Sequence, residues 1–422
     1  PTGSSATLAG FTVAGVTARV AHAGDSNRTA MDFQSVHEPT GEQRAVRDAI
    51  IKLCTDFDED YWLCKERERS FPHEFYGAMV KGGWLGMAVP EQYGGSGLGL
   101  GEVAVCMQTI AECGGGMNGG TSVKINVFGL FPLLKFGTEE QKQRLIPPVI
   151  RGEQKVCFAI TEPNVGLDTR HIRTVARRER DDYVIDGSKV WISTAQVADR
   201  MLILARTTPL DQVGSANEGL TLFLTRLDRN HVRVHEIDRM GRNAVDANEL
   251  FIEGLRVPAN DRIGEEGKGL GYVFHSMNPE RVVVAAEAIG IGRAALKRAA
   301  RYAKERVVFG RPIGQNQGVQ HPLAEAWMEL EAANLVTFRA AELYDRGMPA
   351  GLAANSAKYL AAEAGFKACE AAIMTHGGYG YAKEYHVERY LRDIFVARIA
   401  PITPQLSLNY VAERALGLPK SY

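Results

Sequence analysis

Residues 158–169 read FAITEPNVGLDT, and the texture of the chain changes around them. Upstream, from about residue 39 to residue 151, apolar residues recur at helical spacing. GEQRAVRDAIIKLC (41–54) has this period, and TEEQKQRLIPPVI (138–150) opens on a threonine cap with acids in its first turn. Two glycine-rich breaks, VPEQYGGSGLGLG (89–101) and ECGGGMNGG (112–120), mark turns or close backbone approaches between helices. Downstream of residue 153 come short apolar or alternating runs: KVCFAIT, DYVIDGSKVWIS, RMLILART, GLTLFLTRL, HVRVHEI and ANELFIEGLRVP. Asp186-Gly187 within the second run is a hairpin signal, and the region reads as an antiparallel β domain. Past EEGKGLG, near residue 271, long Ala-rich amphipathic runs return at 281–306, 319–344, 350–375 and 407–416. They predict an antiparallel four-helix bundle. The expected fold class is α+β, with a helical domain at 37–151, a β domain at 152–264 and a helical bundle at 265–422.

The opening residues 1–36 are rich in Ser, Thr, Ala and Gly and poor in acids. A transit remnant, a flexible tail and appended sequence all fit, and the segment is set aside from the fold. The remainder, in a chain of 422 residues with 45% hydrophobic residues, can fill several cores. A net charge of -1 without a basic block argues against nucleic acid as the main partner. No apolar run is long enough to cross a bilayer. Cys54, Cys64, Cys106, Cys113, Cys157 and Cys369 are scattered, without CxxC pairs or histidines at zinc spacing. They read as small apolar residues in a reducing compartment, and no metal is expected.

The order helices, β domain, helical bundle resembles the acyl-CoA dehydrogenase family, over roughly residues 71–419. Besides FAITEPNVGLDT, the resemblance rests on FPHEFYGAMVKGGWLGMAVPEQYGG, SKVWISTAQVADRMLILART, KERVVFGRPIGQNQGVQ and HGGYGYAKEYHVERYLRD, in the family's order. It implies a homotetramer or homodimer with one FAD per subunit. It also implies an acyl-CoA thioester substrate and an electron-transfer flavoprotein as acceptor. Soluble placement follows, cytoplasmic in a bacterium and in the mitochondrial matrix or peroxisome in a eukaryote. Phe158, Ile160 and Thr161 would meet the flavin ring, Trp191 would cover one of its faces, and Ser193 would supply a hydroxyl. On residues alone, Trp191 would be a core tryptophan and Thr161 an ordinary strand threonine. Arg306, Phe309 and Gln317 match positions that reach the FAD of a neighbouring subunit, and a guanidinium suits a pyrophosphate through its rigid donor fork. Gly377, Gly378, Thr403 and Gln405 match further FAD contacts. Leu167 stands where relatives carry the serine of TEPxxGSD, Val308 replaces a hydroxyl residue, and Met374 replaces the glutamine before HGG. These departures predict a divergent branch.

Removing a proton next to a thioester carbonyl needs a poorly solvated carboxylate and donors for the developing enolate oxygen. Most relatives place that glutamate eight residues after the RD pair, which is Pro401 here. Other members, of the isovaleryl and long-chain type, carry it before an arginine on the first bundle helix, which gives Glu280 followed by Arg281. Pro279 reads as a first-turn proline, so burial should raise the Glu280 pKa while the helix dipole opposes the rise. Asn278 and Arg281 match substrate contacts, and Glu287 reads as a structural ion-pair partner. Pro401 also removes a backbone N–H that relatives aim at the thioester oxygen, a loss typically worth on the order of a hundredfold to a thousandfold in rate. The N–H of Ile402 or of Ala400 could stand in. A flavin oxidase, another acyl-thioester enzyme on the same scaffold and a non-catalytic flavin- or CoA-binding protein are the competing readings.

Overall fold

In the computed structural model, residues 35–421 are described, so the expected tail falls outside them up to residue 34. Seven helices come first: α1 (Gly41–Cys54), α2 (Glu59–Glu68), α3 (His73–Lys81), α4 (Leu100–Ile110), α5 (Gly116–Phe128), α6 (Phe131–Phe136) and α7 (Glu139–Ile150). Their ends follow local chemistry. Thr40 and Thr138 each cap a helix through a reciprocal box with the glutamine three residues on. The glycine-rich stretch at 112–120 is a sharp break, in which Gly114 and Gly116 take φ values of 103° and 53°.

An eight-stranded sheet follows: β1 (Val156–Ala159), β2 (Val175–Glu179), β3 (Asp182–Ser193), β4 (Arg200–Arg206), β5 (Leu220–Arg226), β6 (Val232–Glu236), β7 (Ala247–Pro258) and β8 (Arg262–Ile263). The spatial order is β6-β7-β3-β2-β4-β5-β8, with β1 also on β4. Most pairings are antiparallel, but β1 and β2 both run parallel to β4, so the wholly antiparallel expectation needs correcting. The hairpin expectation at Asp186-Gly187 is also overturned. Strand β3 runs straight through this dipeptide with a bulge, and the turn lies at Arg180-Asp181, where Arg180 has φ 56°. A side chain at Gly187 would strike Thr174, and the Asp186 carboxylate accepts the Gly254 N–H at 2.7 Å. Both residues are therefore used for close packing within the sheet.

Residues 201–205 of β4, MLILA, are apolar without a break because both faces of the strand are covered. Leu202 and Leu204 join the helical domain in a core with Leu130, Leu133, Leu145 and Ile146, while Met201, Ile203 and Ala205 pack on the other side with Tyr183 and Phe223.

The last part holds α8 (Gly269–Glu305), the two-residue strands β9 (Val307–Val308) and β10 (Arg311–Pro312), then α9 (Gln317–Asp345), α10 (Gly351–His376), α11 (Val387–Ile399) and α12 (Pro404–Leu416). Helices α8, α9 and α10 pack along one another, and α11 and α12 close against α10. Two expectations change here. The run placed at 281–306 begins twelve residues earlier, at Gly269, so Pro279 and Glu280 sit three turns inside α8 and the N-terminal dipole does not act on Glu280. Helix α11, which the sequence shows only as the HVERYLRD motif, is a further member.

Candidate active site

The strand residues of the expected site are held by a buried lysine. Lys189 of β3 is fully enclosed, and its Nζ donates to the Ile160 carbonyl at 3.0 Å, the Leu204 carbonyl at 2.8 Å and Glu162 Oε1 at 3.0 Å. Burial brings its pKa down to about 8 against the pull of Glu162. Glu162 in turn accepts the N–H groups of Arg173 and Thr174. The end of β1 is thereby pinned beside β3, and the Val190 N–H donates to the Thr161 carbonyl at 2.9 Å. Phe158 faces Phe128 of α5, with ring centroids 5.6 Å apart.

Trp191 stands on this platform with 60% of its surface exposed and φ 62°. The core role that its residue type predicts is therefore wrong. A bulge in β3 turns the indole outward beside Ser193, whose Oγ accepts from Arg242 Nη2 at 3.0 Å. An exposed, flat aromatic in a strained backbone offers a stacking face for a ring.

Glu280 and Arg281 lie on α8. Asn278 Oδ1 accepts from Arg281 Nη1 at 2.8 Å, so these two matched residues touch each other. Glu280 is half-buried along its length, yet its Oε2 is sealed from solvent and has no hydrogen-bond partner. Because the ionising end is the enclosed end, burial pushes the carboxyl up to about 7, against Lys124 and Arg281 and with help from Glu287. Glu287 forms the ion pair expected of it, with Lys124 of α5 at 2.5 Å.

The turn after α11, where most relatives carry their base, holds Pro401 and no carboxylate. The Ala400 N–H is already committed to the Val396 carbonyl at 2.8 Å, whereas the buried Ile402 N–H makes no hydrogen bond among the described residues. Lys358 of α10 is wholly enclosed and donates to the Arg398 carbonyl at 3.1 Å and the Ile402 carbonyl at 2.6 Å. Lysines 124, 189 and 358, all enclosed near these segments, were missed in the sequence. Each bonds only to groups at least fifteen residues away, so no local spacing reveals it. Thr403 caps α12 through the Leu406 N–H, and Gln405 is exposed on its first turn.

A cavity of about 530 Å³ lies at the far end of α8, lined by Arg306, Gly377 and Gly378 together with Tyr302, His376 and Tyr379. Arg306 sits 5.8 Å over the Tyr379 ring, Tyr302 stacks on His376 at 4.4 Å, and Gly377 takes φ 60°. Phe309 projects fully into solvent from the β9–β10 turn, and Gln317 is exposed at the start of α9. Leu167 is 51% exposed. Tyr302 is 22 residues beyond Glu280 on one helix, roughly 33 Å along its axis. Arg306, Gly377 and Gly378 thus share one cavity, and Glu280 lies far from it along α8.

Among the described residues no helix is long and apolar enough to cross a membrane, and no cluster of metal-ligating side chains occurs. Family models match almost the whole described chain: acyl-CoA dehydrogenase N-terminal domain at residues 40–153, middle domain at 157–255 and C-terminal domain at 267–416. An acyl-CoA dehydrogenase of Mycobacterium bovis, fadE12, is 37% identical over 383 residues, covering 90% of this chain and 97% of that protein. The solved butyryl-CoA dehydrogenase of Megasphaera elsdenii superposes with a TM-score of 0.85 at 29% identity, over 92% of this chain and 100% of the other. An FAD complex of PigA also has a TM-score of 0.85, at 25% identity, over 92% and 100% of the two chains.

Proposed function

The chain belongs to the acyl-CoA dehydrogenase family of flavoprotein oxidoreductases, and on that premise we propose that it dehydrogenates an acyl-CoA thioester at the α,β position with Glu280 as the base. The observation that carries this reading is the Glu280 carboxyl: enclosed, unpartnered at Oε2, and raised to about 7 by burial. A base poised near the working pH accepts a proton efficiently and still releases it. Pro401 removes the competing position.

The residues present suit FAD. Trp191 offers a stacking face with a hydroxyl at Ser193 beside it, and Arg306 with the Gly377–Gly378 backbone suits a pyrophosphate. When bound, FAD accepts the β-hydrogen as hydride. The chain's own residues do the rest. Glu280 takes the α-proton onto the oxygen that has no other partner. The thioester oxygen needs a donor, and of the two N–H groups flanking Pro401 that of Ile402 makes no hydrogen bond among the described residues, while Lys358 holds the following peptide through the Ile402 carbonyl. Because the Arg306 cavity and Glu280 are far apart on one helix, the cavity serves the cofactor of a second copy of the chain in a homodimer or homotetramer. Electrons then pass to an electron-transfer flavoprotein.

The test is a panel of acyl-CoA thioesters added anaerobically to the FAD-loaded protein, followed by flavin absorbance. Wild type should bleach with at least one thioester. Glu280→Gln should keep its FAD and lose bleaching by a factor of 10³ or more, on the order of a full general-base contribution. Normal bleaching by that variant would remove Glu280 from the mechanism. Rapid oxygen consumption without an added acceptor would move the assignment to an oxidase.

A further inference from the structure

Helix α5 carries a track of small residues that points at α8 and α11. Gly116, Gly120 and Lys124 recur every fourth residue, so they share a face of the helix. At Gly116 a side chain would press on Asp393 Oδ2, and at Gly120 it would collide with Glu287 Oε1. The track is a slot occupied by carboxyl groups from other helices. Lys124 closes its end, with its Nζ 2.5 Å from Glu287 Oε2 and both side chains buried. Glu287 lies two turns after Glu280 on α8, which returns to the same face about 10 Å along the axis. Lys124 therefore stands on the side of α8 that Glu280 uses.

We propose that the Lys124–Glu287 pair is a charge-setting device for Glu280: Lys124 is a positioning residue that keeps the base ionised, and Glu287 limits how much positive charge Lys124 presents. This rests on Glu280 being the base. The charged groups facing Glu280 are Lys124 from α5 and Arg281 and Glu287 from its own helix. Glu287 faces Lys124 and, from the β6–β7 connection, Arg242. Further along the slot, Asp393 of α11 faces Glu66, Arg389, Arg392 and the Arg242 N–H. A buried Lys–Glu pair that served only packing could be exchanged for neutral side chains of similar size without effect on the chemistry. In a charge-setting pair, exchanging either partner alone shifts the base, and the two shifts have opposite signs. Lys124 lowers the Glu280 pKa and Glu287 raises it.

The experiment measures the acid limb of kcat/KM against pH for wild type, Lys124→Met, Glu287→Gln and the double variant. An infrared titration of protonated carboxyl groups runs in parallel, with Glu280→Gln identifying the Glu280 band. Lys124→Met should move both the limb and the band to higher pH, with activity at pH 6.5 falling about tenfold per unit of movement. Glu287→Gln should move both to lower pH, since it removes a like charge and leaves Lys124 unpaired. The double variant should fall between the two, and it retains a neutral slot if Lys124→Met alone fails to fold. Limbs and bands that coincide in all four proteins would overturn the proposal while leaving Glu280 as the base. Absence of any band lost in Glu280→Gln would instead remove the reading on which it stands.

Discussion

Glu280 shows how much of a residue's character comes from atoms beyond its neighbours in sequence. Its identity as a candidate was legible from the pair Glu280-Arg281 and from the absence of any carboxylate at Pro401. Most of its surroundings were not, because apart from Arg281 the charged groups that face it come from α5, more than 150 residues away, and from two turns further on its own helix. The same burial makes a stability prediction. An unfolded glutamate releases its proton near 4.5, while the folded one holds it to about 7. Below the lower value both states are protonated and nothing is lost. Above the upper value both are ionised, and the folded state bears the cost of an enclosed charge. Glu280→Gln, which mimics the protonated form, should therefore stabilise the protein at pH 8 by on the order of 1–3 kcal/mol and leave it unchanged at pH 4.5. Thermal unfolding at the two pH values checks this; equal Tm changes at both would mean the carboxyl is solvated in the folded state.

The elements were legible where local chemistry and tertiary packing agree. Helices α1 and α7 announce themselves through capping boxes, and β4 through its unbroken apolar run. Where the two conflict, the sequence misleads. Gly269, Gly271 and Pro279 are poor helix residues, so they read as a lead-in, yet α8 runs through them because its buried face continues through Leu270, Val273 and Ser276. Asp186-Gly187 has turn chemistry but lies mid-strand, where its job is a bulge against Thr174. Gly120 belongs to the same class. Replacing a helical glycine by alanine normally adds about 1 kcal/mol of stability. At this position the methyl would meet Glu287 Oε1 in the slot of α5, and overpacking costs about 1–3 kcal/mol. Gly120→Ala should thus destabilise the wild type but stabilise a Glu287→Ala background, a change of sign that denaturant unfolding of the four proteins would reveal. Destabilisation of similar size in both backgrounds would place the clash elsewhere.

At the scale of the whole molecule, the proposed function divides one chain into two half-sites. Glu280 belongs to one, and the Arg306 cavity makes the other, roughly 33 Å away along α8 from Glu280 to Tyr302. Met374 on the rim of that cavity is 76% exposed, and Phe309 and Tyr381, within two residues of its lining in sequence, also turn to solvent, Tyr381 at 89%. Such a rim is uncomfortable in an isolated chain and natural where a second copy covers it. If each cofactor takes its pyrophosphate contacts from one copy and its base from another, two different defects become complementary. A chain with Arg306→Ala keeps its own Glu280 but damages the site of its partner. A chain with Glu280→Gln loses its own base but still serves the partner through Arg306. Each homo-oligomer is then defective. In a mixed dimer unit, one of the two sites combines an intact Glu280 with an intact Arg306, so random assembly should restore about a quarter of the sites. Co-expressing the two variants with different tags, purifying the doubly tagged oligomer and following flavin bleaching measures this directly; if that oligomer is a dimer, about half of its sites should respond. Activity no greater than that of the separate variants would show that Arg306 serves its own chain, and the two half-sites would then have to be joined within a single copy.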